Sequence, residues 1–497
     1  MEASGQFAEG RARHDWRGLV LVAALAFVGV FSFQGSRGLY ETTEGRYAEC
    51  ARETQASGDW DDPILNGQPH WTKPPLTYVA IMAGTSVLGN NPWGVRAYLV
   101  LAMVLAAGAI WWAGTSIWGP DAGRWAGVIF ATSPFLAGAA NVASADLLTT
   151  LWVALATAAF WHGAVRRSAW AWLAAWLFLG LAQLTKGPPA LLVPLASLPV
   201  AWWVMRKGGA GKIDPWITWG GVAVFLLVGV SWYVCEAALT PGLLAYWVGD
   251  ELIGRNVRDE FNRNWGYKYV FTDYLPTLLL GTGPWIPLIL WRGRPLREWW
   301  AADARRTLAA RAARVALAVG IAVPLAVFAA SKSKMPLYMV PLFVPLCLGL
   351  GRALDVLIGQ GRLRARTAGA WAGVMLALIV VGKGVAAYRD KPKDMTRLAA
   401  ALEPVLARDA SREFYVVAYR PKNGLEFHLG RLIECVPTDA FFAHMQSRVA
   451  AGREAAYLVG KNDWNVLATN APGPVRQEAL GKHWLLISAQ ADRWPAK

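Results

Sequence analysis

The reading of the fold turns on "GLVLVAALAFVGVFSF" (18–33) and the "GLYETTEGRYAECARETQASGDW" (38–60) that follows it. The first run carries no charge and is long enough to enter a bilayer. The second is crowded with Glu41, Glu44, Glu49, Glu53 and Asp59. An apolar run opening directly onto a helix-spaced acidic segment marks a membrane protein whose first loop is more than a turn.

The pattern repeats outward from there. Of 497 residues, 55% are hydrophobic and only 17% charged, where a soluble domain carries about 25% charged residues. Eleven apolar runs read as spans, at about 18–34, 95–117, 124–143, 147–165, 169–184, 189–205, 215–237, 274–291, 313–330, 336–352 and 368–387. The expected fold is an all-α polytopic membrane domain of roughly 11–13 transmembrane helices over residues 1–388. It includes a large first loop at 35–94, and a small soluble α/β domain over 389–497 completes the chain. In that tail "MTRLAAALEPVLARD" reads as a helix, and "EFYVVAY", "RLIECV", "AAYLVG" and "HWLLISA" read as strands.

A net charge of +15 does not signal nucleic acid here. The basic residues gather in alternate loops, around Arg11 to Arg17, Arg166 and Arg167, Arg206 to Lys212, 292–314 and Arg352 to Arg366. That is the positive-inside pattern. It sends 35–94, 144–146, 185–188, 238–273, 331–335 and the tail to the opposite, outer face. Leu76 to Gly89, short for a span, is then expected as a helix lying on that face. Many of the 28 tryptophans, such as Trp202, Trp203 and Trp291, sit at run ends, as an interfacial belt requires. Cys50, Cys235, Cys347 and Cys435 have no ligand spacing, so neither a disulfide scaffold nor a structural zinc site is expected.

The outer segments hold the residues that could do chemistry. Residues 44–56 read as a helix with Glu44 in its first turn, where the helix dipole favours an anion. Arg46 and Tyr47 follow it. "HWTKPPL" (70–76) fixes Lys73 ahead of two prolines. Asp146 lies in a very short turn, where it also suits an N-cap. Lys186 lies in "LTKGPPALL", and Lys332, Lys334 and Tyr338 lie in "SKSKMPLY". Lysines in tight turns opposite the basic loops call for an anion, and a phosphate at the membrane surface fits. Arg255 is the best candidate in the sign-alternating segment 250–263, most of which reads as a solvated face. Together these residues suit transfer from a lipid phosphate: a carboxylate takes a proton from an acceptor hydroxyl, and cations stabilise the leaving phosphate. The rival class, a transporter or flippase of polyprenyl-linked sugars, would place ionisable residues nearer mid-membrane and often carry repeats.

At these same residues the chain resembles the GT-C glycosyltransferases of the bacterial aminoarabinose-transferase type, relatives of the protein O-mannosyltransferases. The stretches that carry the likeness are "EGRYAECARETQASGDW", "LNGQPHWTKPPLTY", "ATSPFLAGAANVASADLLTT", "LTKGPPALL", "DELIGR" and "SKSKMPLYMVPLF". The resemblance implies an inverting transferase in the bacterial inner membrane, with its site and tail domain on the periplasmic side. Its donor is a polyprenyl (undecaprenyl) phosphate–sugar, and its acceptor lipid A or another envelope lipid or glycan. In that pattern the first-loop acid is the base or its support, and Lys73, Asp146, Lys186, Lys332, Lys334 and Tyr338 surround the donor phosphate. On the residues themselves Glu44 is the base candidate with Asp146 second, and Arg46, Tyr47 and Arg255 join the residues expected at donor and phosphate. Glu44→Gln is then expected to abolish transfer with folding intact. Two departures stand out. The family's Asp-Glu pair is here Thr43–Glu44, and a glutamate able to bind metal before the "KPP" lysine is here Thr72. No metal ligand is assigned and no cofactor is required by this reading, although a divalent cation, Mg2+ or Zn2+, stays open. Membrane lipids are the expected surroundings, nucleic acid is not a partner, and a monomer is expected.

Overall fold

The computed structural model describes residues 15–210, 214–254, 266–292, 307–409 and 412–489. Asp15 caps the first helix, α1 (Trp16–Phe31), by accepting from Gly18 N. The acidic segment forms α2 (Thr43–Ser57), which stops at Gly58 in the left-handed region, φ +81°. A short hairpin, β1 (Ile64–Leu65) and β2 (Gln68–Pro69), leads to α3 (Leu76–Leu88). Then come α4 (Pro92–Trp118), α5 (Pro120–Ala131), α6 (Pro134–Ala139), α7 (Ala145–Arg166), α8 (Ala169–Lys186) and α9 (Leu192–Lys207).

Among the described residues, seven helices are long and apolar enough to cross a membrane: Pro92–Trp118, Ala145–Arg166, Pro188–Lys207, Pro215–Leu239, Leu308–Ala330, Pro336–Gly359 and Ala365–Tyr388. The pair Val270–Leu280 and Trp285–Trp291, bent by 73°, makes an eighth if it is one span. The other expected spans are shorter, less apolar or interrupted. α1 has 16 residues, while α8 has 18 but carries three tryptophans, Gln183 and Lys186. The run 124–143 divides into α5 and α6 because Pro134 cannot continue the ladder. Thr132 and Ser133 turn their hydroxyls back onto Val128 O and Ile129 O, at 2.7 and 2.6 Å. Small residues let the central helices approach closely. A Cβ on Gly114 would lie 2.8 Å from Gly123 Cα, and one on Gly351 2.4 Å from Ala126 Cα.

The small α/β layer expected at the C-terminus is present. Its strands β3 (Glu413–Val417), β4 (Cys435–Val436), β5 (Ala455–Gly460), β6 (Val475–Leu480) and β7 (Trp484–Ala489) lie in the order β4-β3-β5-β7-β6. β3 runs parallel to β4 and β5, while β7 is antiparallel to β5 and β6. Alternation along the strands builds two cores, one with Val416 and Leu458 against the helix Met395–Arg408, the other with Tyr415, Tyr457 and Phe441.

This layer docks on the first loop through backbone and side chains. Glu41 N donates to Lys393 O and Met395 N to Leu39 O, each at 3.0 Å. Gly424 N donates to Glu41, and Asn423 Nδ2 donates to Asn66 Oδ1 at 2.7 Å. Gly45 of α2 is required for the contact, since a Cβ there would meet Gly424 N at 2.5 Å.

Candidate active site

Glu44 is 1% exposed and fully engaged. Arg96 Nε donates to Oε1 at 2.8 Å and its Nη2 to Oε2 at 3.0 Å, while Arg37 Nη2 reaches Oε2 at 2.7 Å. The N–H groups of Tyr40 (3.2 Å) and Ala143 (3.0 Å) complete the set. Burial alone would raise this carboxyl, but Arg96, Arg37 and the amides hold it below its usual value. A carboxylate that already accepts this many bonds has no oxygen to offer a substrate proton. The expectation that Glu44 is the base is therefore corrected: it pins the start of α2 to α4 and to the turn before α7.

Asp146 does not cap its helix either. Ser144 is the N-cap of α7, and its hydroxyl donates to Asp146 Oδ2 at 2.9 Å. The other carboxylate oxygen pairs closely with Lys186 Nζ. Lys186 in turn sits 5.1 Å from the centre of the Tyr338 ring. The local sequence produces this placement. Lys186 is the last residue of α8, where a cation suits the helix C-terminus. Gly187 at φ +79° lets the chain leave sharply toward Pro188.

Lys73, Lys186 and Tyr338 line one cavity of about 640 Å3 with Ser331, Ser333 and Glu251. Its other walls are largely apolar, among them Trp71, Pro188, Trp232, Trp247, Val248 and Phe328. Trp247 Nε1 donates to Trp71 O, and Trp232 Nε1 to Asp61 O, each at 2.9 Å. Two indoles thus brace the segments either side of Lys73. Two lysines in a cavity whose walls are largely apolar fit an amphiphile with an anionic head.

The remaining expected residues fall elsewhere. Lys334 is buried and donates to Ser331 O, so it closes its own turn rather than lining the cavity. Lys332 is half-buried and also outside the lining. Tyr47 is buried against Tyr78, ring centres 5.5 Å apart. Arg46 is half-buried and has no ion-pair partner among the described residues. Arg255 lies outside the described residues. Arg96 and Arg37 were missed at the sequence level, although a charge at the start of the α4 apolar run was a readable signal.

His70 sets the turn that carries Lys73. Its Nε2 lies 2.6 Å from the Thr72 hydroxyl, and its backbone N–H donates to Pro63 O. Burial, with Arg46 and Lys73 nearby, lowers the imidazole from 6.5 to about 4. The folded chain thus resists a proton that the unfolded chain accepts near 6.5, so acid favours unfolding. Stability is expected to fall as pH drops from 6.5 towards 4, and His70→Asn to flatten that slope. Melting temperature measured across this range checks it; an unchanged slope contradicts it. Among the described residues no three His, Cys, Asp or Glu side chains converge as a metal site needs. Thr72 and His70 are hydrogen-bonded to each other.

Residues 72–234 match the family described as dolichyl-phosphate-mannose-protein mannosyltransferase. The chain is 32% identical over 330 residues to the undecaprenyl phosphate-alpha-4-amino-4-deoxy-L-arabinose arabinosyl transferase of Edwardsiella ictaluri, covering 65% of this chain and 56% of that protein. It is 30% identical over 352 residues to the Pseudomonas aeruginosa protein of the same name, covering 69% and 60%. It thus spans less than two thirds of the length of these relatives. Its fold matches ArnT from Cupriavidus metallidurans, solved bound to undecaprenyl phosphate, with TM-score 0.71 and 21% identity over 96% of this chain and 99% of that one. The chain is thus a multi-pass membrane protein similar in sequence, over about two thirds of its own length, to the aminoarabinose transferases, and its fold is that of ArnT.

Proposed function

We propose that the protein is an inverting glycosyltransferase that moves a sugar from a polyprenyl phosphate to an acceptor on the outer face of a bacterial inner membrane. The observation that carries this is the convergence of Lys73, Lys186 and Tyr338 on one apolar-walled cavity. The phosphate of the donor sits against the two lysines, and its chain follows the tryptophan and proline wall. As the bond from the sugar C1 to the phosphate oxygen breaks, Lys73 and Lys186 stabilise the charge left on the phosphate. Asp146 fixes where Lys186 points. The membrane holds donor and acceptor together, which adds proximity.

The relatives' names supply the donor class, undecaprenyl phosphate carrying aminoarabinose. The acceptor that fits the resemblance is lipid A or another envelope lipid or glycan, met in the periplasm because the arginine-rich loops keep the other face inside. The test uses purified protein in detergent micelles with that donor and envelope lipid extract. Polyprenyl phosphate is expected to appear in step with glycosylated acceptor. A protein that binds donor yet forms neither product is a carrier, and the proposal fails.

A further inference from the structure

The last apolar span, Ala365–Tyr388, runs out into "YRDKPK" (388–393), every residue of which is exposed. This segment leads directly into the C-terminal layer. Its charge is unusual for its place. Basic residues close to a span end belong on the inner side, and the arginine-rich loops already occupy that side. Arg389, Lys391 and Lys393 follow the span on the opposite, outer side. Cations kept there against the general rule call for an anionic partner.

The layer brings more cations to the same place. From β3 the chain reaches β4 on one side, then returns through the helix Phe441–Ala450 to β5 on the other. Connections that part in this way open a crevice at the carboxyl ends of β3 and β5, where open α/β sheets bind their ligands. Lys422 lies in the loop after β3, and Lys461 directly follows β5. Trp484 stands opposite Gly460, the last residue of β5. Lys422 Nζ lies 5.9 Å from the centre of the Trp484 ring. The same tryptophan ties the segment after the span to this end of the sheet: its Nε1 donates to Pro392 O at 3.3 Å. His483 Nε2 lies 3.8 Å from Asp390 Oδ2, and Lys482 beside it is exposed. Few carboxylates balance the group. Asp390 faces His483, Asp394 is paired with Arg397, and Asp463 is exposed beside Gly460. Arg389, Lys391, Lys393, Lys422 and Lys482 have no ion-pair partner among the described residues.

We propose that this end of the C-terminal sheet, with the segment after the last span, binds the phosphate headgroups of anionic bilayer phospholipid. The lysines meet phosphate as point charges, and a half-buried indole suits the boundary between headgroup and acyl chain. Lipid is within reach, because Val381, Val385 and Tyr388 at the end of the span are exposed. Juxtamembrane basic segments are drawn to anionic lipid surfaces in this way. Bound lipid pins the C-terminal layer to the membrane. It steadies the first loop as well, since Glu41 N bonds Lys393 O and Met395 N bonds Leu39 O. The proposal stands apart from the transferase reading and does not depend on it.

The test reconstitutes the full-length protein in vesicles of phosphatidylcholine and phosphatidylglycerol, with a photoactivatable form of one lipid or the other, and maps labelled peptides by mass spectrometry. The phosphatidylglycerol probe is expected to label peptides holding 389–393, 418–422 and 482–484 in excess of the phosphatidylcholine probe, and the excess should shrink as sodium chloride rises. Lys391 and Lys393 are exposed and make no side-chain bond among the described residues, so Lys391→Gln/Lys393→Gln leaves the fold intact. Its excess labelling is expected to fall about fivefold, and about tenfold or more once Lys422→Gln is added. The matching triple arginine variant should keep the excess, because charge is what binds. Arg476→Gln, at the other end of the sheet where Arg476 stands opposite Ser488, should change nothing. Equal labelling by the two probes, an undiminished excess in the double glutamine variant, or its loss in the triple arginine variant would each overturn the proposal. So would displacement of the lipid probe by inorganic phosphate at matched ionic strength, which marks a site for free phosphate.

Discussion

Methionine in place of Arg96 is expected to unfold the first loop. The Arg96 side chain is fully buried. Besides Glu44 it serves Gln34 O at 3.0 Å, Arg37 O at 2.6 Å and Gly38 O at 2.9 Å. Removing it strips these carbonyls of a donor and leaves Glu44 buried with Arg37 as its remaining cation. Losing one partner of a buried pair costs about 3–5 kcal/mol. The damage should spread, because Leu39, Tyr40 and Glu41 also carry the backbone contacts of the C-terminal layer. Tryptophan fluorescence during heating should show a clearly lower melting temperature, with α2 becoming open to protease. Glu44→Gln should shift in the same direction, unlike the folded, inactive variant expected from the sequence. An Arg96→Met protein that melts like the parent would contradict this account of the loop.

The second large effect falls on catalysis. Lys186→Met is expected to lower kcat/KM about 10²–10³-fold, the loss seen when one group aimed at developing oxyanion charge is removed. The side chain is short of alternatives: it is fixed by Asp146 on one side and Tyr338 on the other. Asp146→Asn should cost less, because the charge remains while its direction is lost. Lys186→Arg should recover part of the activity, since the charge returns on a wider, planar group. Steady-state transfer kinetics check the order: the parent is fastest, Asp146→Asn and Lys186→Arg fall between, and Lys186→Met is slowest. Equal activity of the Lys186→Met protein would remove the phosphate role.

Much of this was readable in the chain. The acidic segment after the first apolar run does form a helix, because Glu49, Glu53 and their neighbours keep helical spacing and Gly58 ends it. Lys73 and Lys186 each stand just ahead of a proline pair, and stiff turns of that kind can be located without a structure. Other features depend on partners distant in sequence. Glu44 looked like a base because Arg96 and Ala143, which saturate it, are far along the chain. Lys332, Lys334 and Lys186 looked alike; one turned back on Ser331 and one met Asp146. The strand β6, "VRQEAL", was not recognised because it is an edge strand with a mostly polar pattern. The division of 124–143 was hidden by an apolar run that continues across Pro134.

The central claim is that the cavity holding Lys73, Lys186 and Tyr338 binds the donor phosphate. The most direct measurement is photolabelling of the purified protein with a diazirine-bearing polyprenyl phosphate, followed by peptide mass spectrometry. Label is expected on the wall formed by Trp232, Trp247 and Pro188, and it should be lost in a Lys73→Met/Lys186→Met double variant that still folds. Label confined to other helices, or undiminished in the double variant, would contradict the account.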